Sequence, residues 1–189
     1  MFHVFLLSLG AVFLVEIGDK TQLLALCLAA KYRRPAPIVL GIFIATVLNH
    51  AFAGGLGVLL SEWITPQILK WVLFVSFAAM AFWMAIADKL DECDIVKECP
   101  TGILCTTVTA FFLAEMGDKT QIATVAIAAE FNAFWGVVSG SVLGLMLADA
   151  PAVYLGQKFA DRFPQSKVRY GSCALLALLA LWSLIEALT

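Results

Sequence analysis

Residues 16–22 read Glu-Ile-Gly-Asp-Lys-Thr-Gln and residues 115–121 read Glu-Met-Gly-Asp-Lys-Thr-Gln. The same charged heptad thus sits twice in otherwise apolar sequence, at an offset of 99. The offset persists outside the heptads, at Ala11/Ala110, Phe13/Phe112, Leu14/Leu113, Ala29/Ala128 and Ala30/Ala129. This pattern predicts one site built from two homologous halves. The surrounding composition says where that site must lie. The chain is 62% hydrophobic with a mean hydropathy of +0.94, against about 45–50% apolar residues in a soluble domain. A membrane protein is expected. A net charge of −2 argues against a nucleic-acid partner, and no basic cluster is long enough to act as a strong lipid-binding patch. The first apolar run lacks a basic leader and continues through Glu16 and Asp19. It is expected to stay as a helix and not to be removed as a signal peptide.

A spanning helix needs roughly 20 mainly apolar residues. Six stretches meet that requirement: about 2–30, 38–60, 67–87, 102–129, 133–156 and 168–188. Lys31-Tyr32-Arg33-Arg34-Pro35 closes the first, and Thr65-Pro66 reads as an N-cap with proline at the first helical position of the third. An acidic linker, 88–101, separates a first repeat at 1–87 from a second at 102–189. With six spans, the loops after the first, third and fifth hold Lys31, Arg33, Arg34, Lys89, Lys97, Lys158, Arg162, Lys167 and Arg169, while the opposite side holds Lys70 alone. Basic loops stay cytoplasmic, so both termini are expected on the non-cytoplasmic side. Three helices per repeat is an odd number, so the second repeat must be inverted. The predicted fold is an all-α polytopic membrane protein, six transmembrane helices forming two inverted three-helix repeats. Many secondary transporters are built this way, with the site where the repeats meet near the midplane. Small residues at Gly41/Gly140, Ala45/Gly144, Ala53/Ala152 and Gly57/Gly156 fit close helix packing in lipid. Trp63, Trp71, Trp83, Trp135 and Trp182 lie mostly toward helix ends, as interfacial anchors do.

On a continuous helix, residues three and four apart share a face. Glu16, Asp19 and Gln22 would form one polar stripe, and Glu115, Asp118 and Gln121 a second. Facing each other, they would bring four carboxylates together in the bilayer, where each ionised acid costs about 2.5–3.5 kcal/mol on insertion scales. Lys20 and Lys119 return two positive charges, leaving −4 + 2 = −2. One divalent cation or two protons fill that deficit, which points to exchange between the two. Carboxylate, amide (Gln22, Gln121) and hydroxyl (Thr21, Thr120) oxygens form a hard donor set suited to Mn²⁺ or Ca²⁺ and not to thiophilic ions. Met116 is the one soft atom nearby, and its counterpart is Ile17. Gly18 and Gly117 weaken the helix and permit local unwinding, the hinge role. Glu16–Lys20 and Glu115–Lys119, at i,i+4, would be internal salt bridges in the empty state, with the lysines as tethered surrogate cations.

His50 and Asp149 occupy equivalent positions of the second and fifth helices, with Asn49 beside His50 and Pro151 after Asp149 as a candidate kink. They read as a proton relay or second layer for the acids, or as a structural hydrogen bond across the halves. Cys93 and Cys99 lie in the linker, on the reducing side of the membrane by the charge count, so no stable disulfide is expected there. A role in sampling cytosolic metal is the alternative to a plain solvated loop.

A duplicated Glu-φ-Gly-Asp-Lys-Thr motif in a six-helix chain resembles the family of Golgi manganese/calcium transporters and their bacterial manganese exporters. That family is related in character to cation/proton antiporters. The resemblance spans nearly the whole chain, and both copies match the motif throughout. It implies that Glu16, Asp19, Glu115 and Asp118 bind the metal, with Lys20, Thr21, Lys119 and Thr120 as motif partners. The short linker, and the lack of the long N-terminal extension of eukaryotic members, look like a bacterial inner-membrane form. Mn²⁺ or Ca²⁺ is then cargo exchanged for protons, no resident cofactor is expected, and the partners are the ion, protons and the lipid bilayer.

Two other functions stay open at this stage. A passive divalent-cation channel would carry the ion without counter-movement of protons. An intramembrane aspartyl enzyme would need a carboxylate dyad, but neither a lysine beside each acid nor two further glutamates; a non-enzymatic transporter is the reading adopted.

Overall fold

Each heptad carries a glycine at its third position, Gly18 and Gly117, and the chain breaks there. The computed structural model describes residues 1–85, 99–155 and 165–188. Its described residues are all helical or in short connections, with no strand among them. The helices are α1 (Phe2–Glu16), α2 (Lys20–Tyr32), α3 (Pro35–Trp63), α4 (Pro66–Ala85), α5 (Ile103–Glu115), α6 (Lys119–Phe131), α7 (Phe134–Leu155) and α8 (Gln165–Leu188). The first and fourth predicted spans are therefore not single helices. Each is two short ones meeting at the heptad, and α1 and α2 diverge by 69°.

The break has a defined shape. Ile17 adopts φ −61°, ψ 120°, Gly18 has φ +81°, and the Asp19 amide donates to the Glu16 carbonyl at 3.0 Å. Met116, Gly117 (φ +79°) and the Asp118-to-Glu115 bond at 3.1 Å repeat it. These are type II turns, which require positive φ at the third residue and hence glycine. The unwinding anticipated at these glycines is thus a fixed turn. The repeat extends to the helix ends. Arg33 and Asn132, again 99 apart, close α2 and α6 in the left-handed conformation.

Packing follows the same two-fold pattern. The broken helix of each half lies against the unbroken second helix of the other: α1 and α2 on α7, α5 and α6 on α3. α3 packs on α7, and α4 on α8. Glycine makes the tightest approaches possible. A Cβ on Gly144 would come within 2.6 Å of the Leu9 carbonyl oxygen, and one on Gly41 within 2.7 Å of Thr107 Cβ. Two apolar clusters form the interior, one around Val15, Phe77 and Ile127, the other around Leu28, Ile42, Phe111 and Leu145.

The outer surface is apolar too. α3 turns Leu40, Phe43, Leu48, Phe52 and Leu59 outward while it buries Asn49 and His50. Oily outside and polar inside is the arrangement a lipid solvent selects. α3 and α7 are each long and apolar enough to cross a membrane, and the bent pair α1–α2 makes a third such segment. α7 continues through Pro151 to Leu155, so that proline does not end the helix. Lys89, Cys93, Lys97, Gly156, Lys158 and Arg162, and the side chains of Trp83, Lys167, Arg169 and Cys173, lie outside the described residues.

Candidate cation-binding site

Because the turn falls inside the heptad, the two acids of each copy sit on different helix ends. Glu16 closes α1 and Glu115 closes α5, while Asp19 and Asp118 are the N-caps of α2 and α6. A helix N-terminus carries partial positive charge and favours an aspartate; a C-terminus carries the opposite and leaves a glutamate in want of a cation. Four such ends meet in the interior, and Glu16, Asp19, Glu115 and Asp118 are all buried.

The lysines cross between the copies. Lys119 Nζ lies 2.7 Å from Asp19 Oδ1, and Lys20 Nζ lies 3.7 Å from Asp118 Oδ1. The expected i,i+4 pairs, Glu16–Lys20 and Glu115–Lys119, give way to these, because the turn takes both residues out of helical register. The lysines still act as tethered cations, but for the aspartates of the opposite half.

The polar partners of the heptad are used locally. The Gly18 amide donates to Gln22 Oε1 at 3.1 Å and the Gly117 amide to Gln121 Oε1 at 2.7 Å, so each glutamine closes its own turn. Their Nε2 atoms reach across to the other half, Gln22 to the Ala148 carbonyl at 3.0 Å and Gln121 to the Asn49 carbonyl at 3.5 Å. Thr21 Oγ1 donates to Glu16 Oε1, whereas the buried Thr120 Oγ1 has no hydrogen-bond partner among the described residues. Asn49 Nδ2 donates to the Phe112 carbonyl at 3.2 Å, which ties down the end of α5. Met116, the soft atom of the second copy, is 55% exposed while Ile17 is 8% exposed, so the thioether sits in an outward-facing stretch.

His50 and Asp149 do reach the acids. His50 Nε2 is 3.8 Å from Glu115 Oε2, and Asp149 groups with Glu16 and Glu115, one oxygen from each within 4.8 Å of the others. A second group, Glu16, Asp19 and Asp118, meets the same limit. The sequence reading passed over Thr124, whose hydroxyl donates to the Thr120 carbonyl and lies 2.8 Å from His50 Nδ1. The same hydroxyl lies 3.0 Å from Ser141 Oγ, and on its other edge the imidazole turns Nε2 toward the Glu115 carboxylate. The signal for Thr124 was available: it replaces Ala25 of the first copy, as Asp149 replaces His50.

The arrangement can hold a hard cation in either oxygen group and protons on the same acids. Comparison with known proteins fixes the kind of molecule this is. A family model described as "Divalent cation/proton antiporter GDT1" matches residues 4–92 and 103–189. The chain belongs to the GDT1 family. A Vibrio cholerae protein named "Putative manganese exporter" is 47% identical over 176 residues, covering 93% of this chain and 87% of the relative. A GDT1-like protein of Synechocystis is 31% identical, covering 81% and 82%, and a GDT1-like protein of Oryza sativa is 26% identical, covering 95% and 93%. No solved structure matches. Membership of the GDT1 family makes the chain a membrane cation transporter, in keeping with its apolar outer surface.

Proposed function

We propose that this protein exports a divalent cation, Mn²⁺ in preference to Ca²⁺, in exchange for protons, through the buried centre formed by its two heptads. The observation that carries the proposal is the crossing of Lys119 to Asp19 and of Lys20 to Asp118, which joins the two copies into one electrostatic unit. Glu16, Asp19, Glu115 and Asp118 are the metal ligands. Gln22 and Gln121 hold the turns at Gly18 and Gly117, and Thr21 and Thr120 orient or complete the oxygen set. Lys20 and Lys119 neutralise the aspartates when no ion is bound and release them when one arrives. The oxygen donors suit both Mn²⁺ and Ca²⁺. The Vibrio relative, named a manganese exporter, supports Mn²⁺ as the ion and export as the direction.

The surrounding architecture is six spans in two inverted repeats, 1–87 and 102–189, joined by the cytoplasmic linker 88–101, in a bacterial inner membrane with both termini outside the cytoplasm. The matching packing of α1 on α7 and of α5 on α3 supports this. The test is Mn²⁺ and Ca²⁺ flux in proteoliposomes with and without a pH gradient. Gradient-dependent Mn²⁺ flux that Glu16→Gln and Glu115→Gln both abolish is expected. Equal flux without the gradient would identify a passive conductance instead.

A further inference from the structure

Asp149 lies outside both heptads, on α7, and is completely buried with neither carboxylate oxygen hydrogen-bonded among the described residues. A carboxylate in that position is several kcal/mol out of pocket unless something positive or proton-bearing meets it. Glu16 Oε2 and Glu115 Oε1 are buried and lack partners in the same way. The two lysines of the site are directed to Asp19 and Asp118, and among the described residues neither Glu16 nor Asp149 has an ion-pair partner. We propose that Glu16, Glu115 and Asp149 form a second divalent-cation subsite, and that the transported ion passes between it and the Glu16–Asp19–Asp118 subsite by way of Glu16.

The geometry suits this. Two oxygens bound to one hard cation at about 2.3 Å each lie up to about 4.6 Å apart, and one oxygen from each of the three acids falls within 4.8 Å of the others. Glu16 belongs to both groups. Its Oε1 accepts the Thr21 hydroxyl while its Oε2 stays unpartnered, so one carboxylate can serve both positions without moving far. The subsite exists once and not twice, because the equivalent of Asp149 in the first half is His50. The two positions therefore differ in charge environment. In one, each aspartate is paired with a lysine that competes with the ion; in the other, neither Glu16 nor Asp149 has an ion-pair partner among the described residues, which gives the ion a stepwise path. This inference rests on the proposed exchange function and adds a fifth carboxylate to it.

The full-length protein in liposomes would be compared with Asp149→Asn and Asp149→Cys, checking each for a monodisperse gel-filtration profile. Mn²⁺ and Cd²⁺ fluxes would be measured under a pH gradient, with Mn²⁺ binding followed by electron paramagnetic resonance. Asp149→Asn is expected to lower Mn²⁺ flux by about tenfold or more, as loss of a ligand does, while one Mn²⁺ still binds at the aspartate subsite. Asp149→Cys is expected to raise the Cd²⁺/Mn²⁺ flux ratio about tenfold over wild type, since a thiolate prefers the softer ion; a purely structural role would not move that ratio. Wild-type Mn²⁺ flux in Asp149→Asn, or a wild-type ratio in Asp149→Cys, overturns the subsite and leaves the exchanger intact. Should the asparagine variant not fold, the cysteine ratio decides alone. Absence of any divalent flux in the wild-type protein overturns the proposed function, and this inference with it.

Discussion

The two heptads have the same backbone and different surroundings. Their turns agree to within a few degrees, φ +81° at Gly18 and +79° at Gly117, and each is closed by its own glutamine. Yet Lys119 is 3% exposed and 2.7 Å from its aspartate, whereas Lys20 is 27% exposed and 3.7 Å from its own. Asp149 stands beside Glu16 where His50 stands beside Glu115. Duplication supplied two equal halves of a site, and the substitutions around them made one half tight and the other loose.

The largest consequence falls on the lysines. Lys119→Ala leaves the buried Asp19 carboxylate without its close cation, and breaking such a pair costs about 3–5 kcal/mol. Lys20→Ala removes a longer pair whose lysine is partly exposed, so water already screens it and the loss is smaller. Thermal unfolding in nanodiscs should therefore show a far larger drop for Lys119→Ala. Equal drops would mean that the tight and loose pairs interchange freely in the membrane, which would remove the asymmetry.

Next in size is the close approach of α7 to α1. Gly144→Ala forces a methyl group against the Leu9 carbonyl oxygen and should cost about 1–3 kcal/mol through overpacking. Gly10→Ala, with nothing within 4 Å of the new methyl, is the matched control and should leave the unfolding temperature unchanged or slightly raised. The smallest difference between halves is expected at the turns. Gly18→Ala and Gly117→Ala each place a side chain at positive φ, at about 1–2 kcal/mol. Both should lose stability and flux alike, since the two turns share one geometry. A turn that tolerated alanine would be one that opens during transport.

Much of this was legible in the sequence because a constant offset of 99 carries more information than any local propensity. It placed Glu16, Asp19, Glu115 and Asp118 in one centre, and it paired His50 with Asp149. What it could not carry was the direction of Lys20 and Lys119. A face-sharing argument assumes a continuous helix, and the type II turn at Ile17–Gly18 removes that assumption for every residue after it. The same turn took Gln22 and Gln121 from the expected ligand stripe and set their oxygens on glycine amides. Asn49, beside His50, also holds the end of α5, a contact between segments 63 residues apart that the sequence does not display. Thr124 was visible only as a departure from the repeat, and departures matter once the symmetric part of the site is known.

The central claim is that two copies make one site. Titrating the purified protein with Mn²⁺ and counting bound ions per chain by electron paramagnetic resonance tests it most directly, in wild type and in Glu16→Gln and Glu115→Gln. One ion per chain, lost in Glu16→Gln, whose carboxylate both oxygen groups share, and kept at the aspartate subsite in Glu115→Gln, is the predicted result. Two ions per chain, each removed only by the substitution in its own heptad, would contradict the account and describe two separate sites.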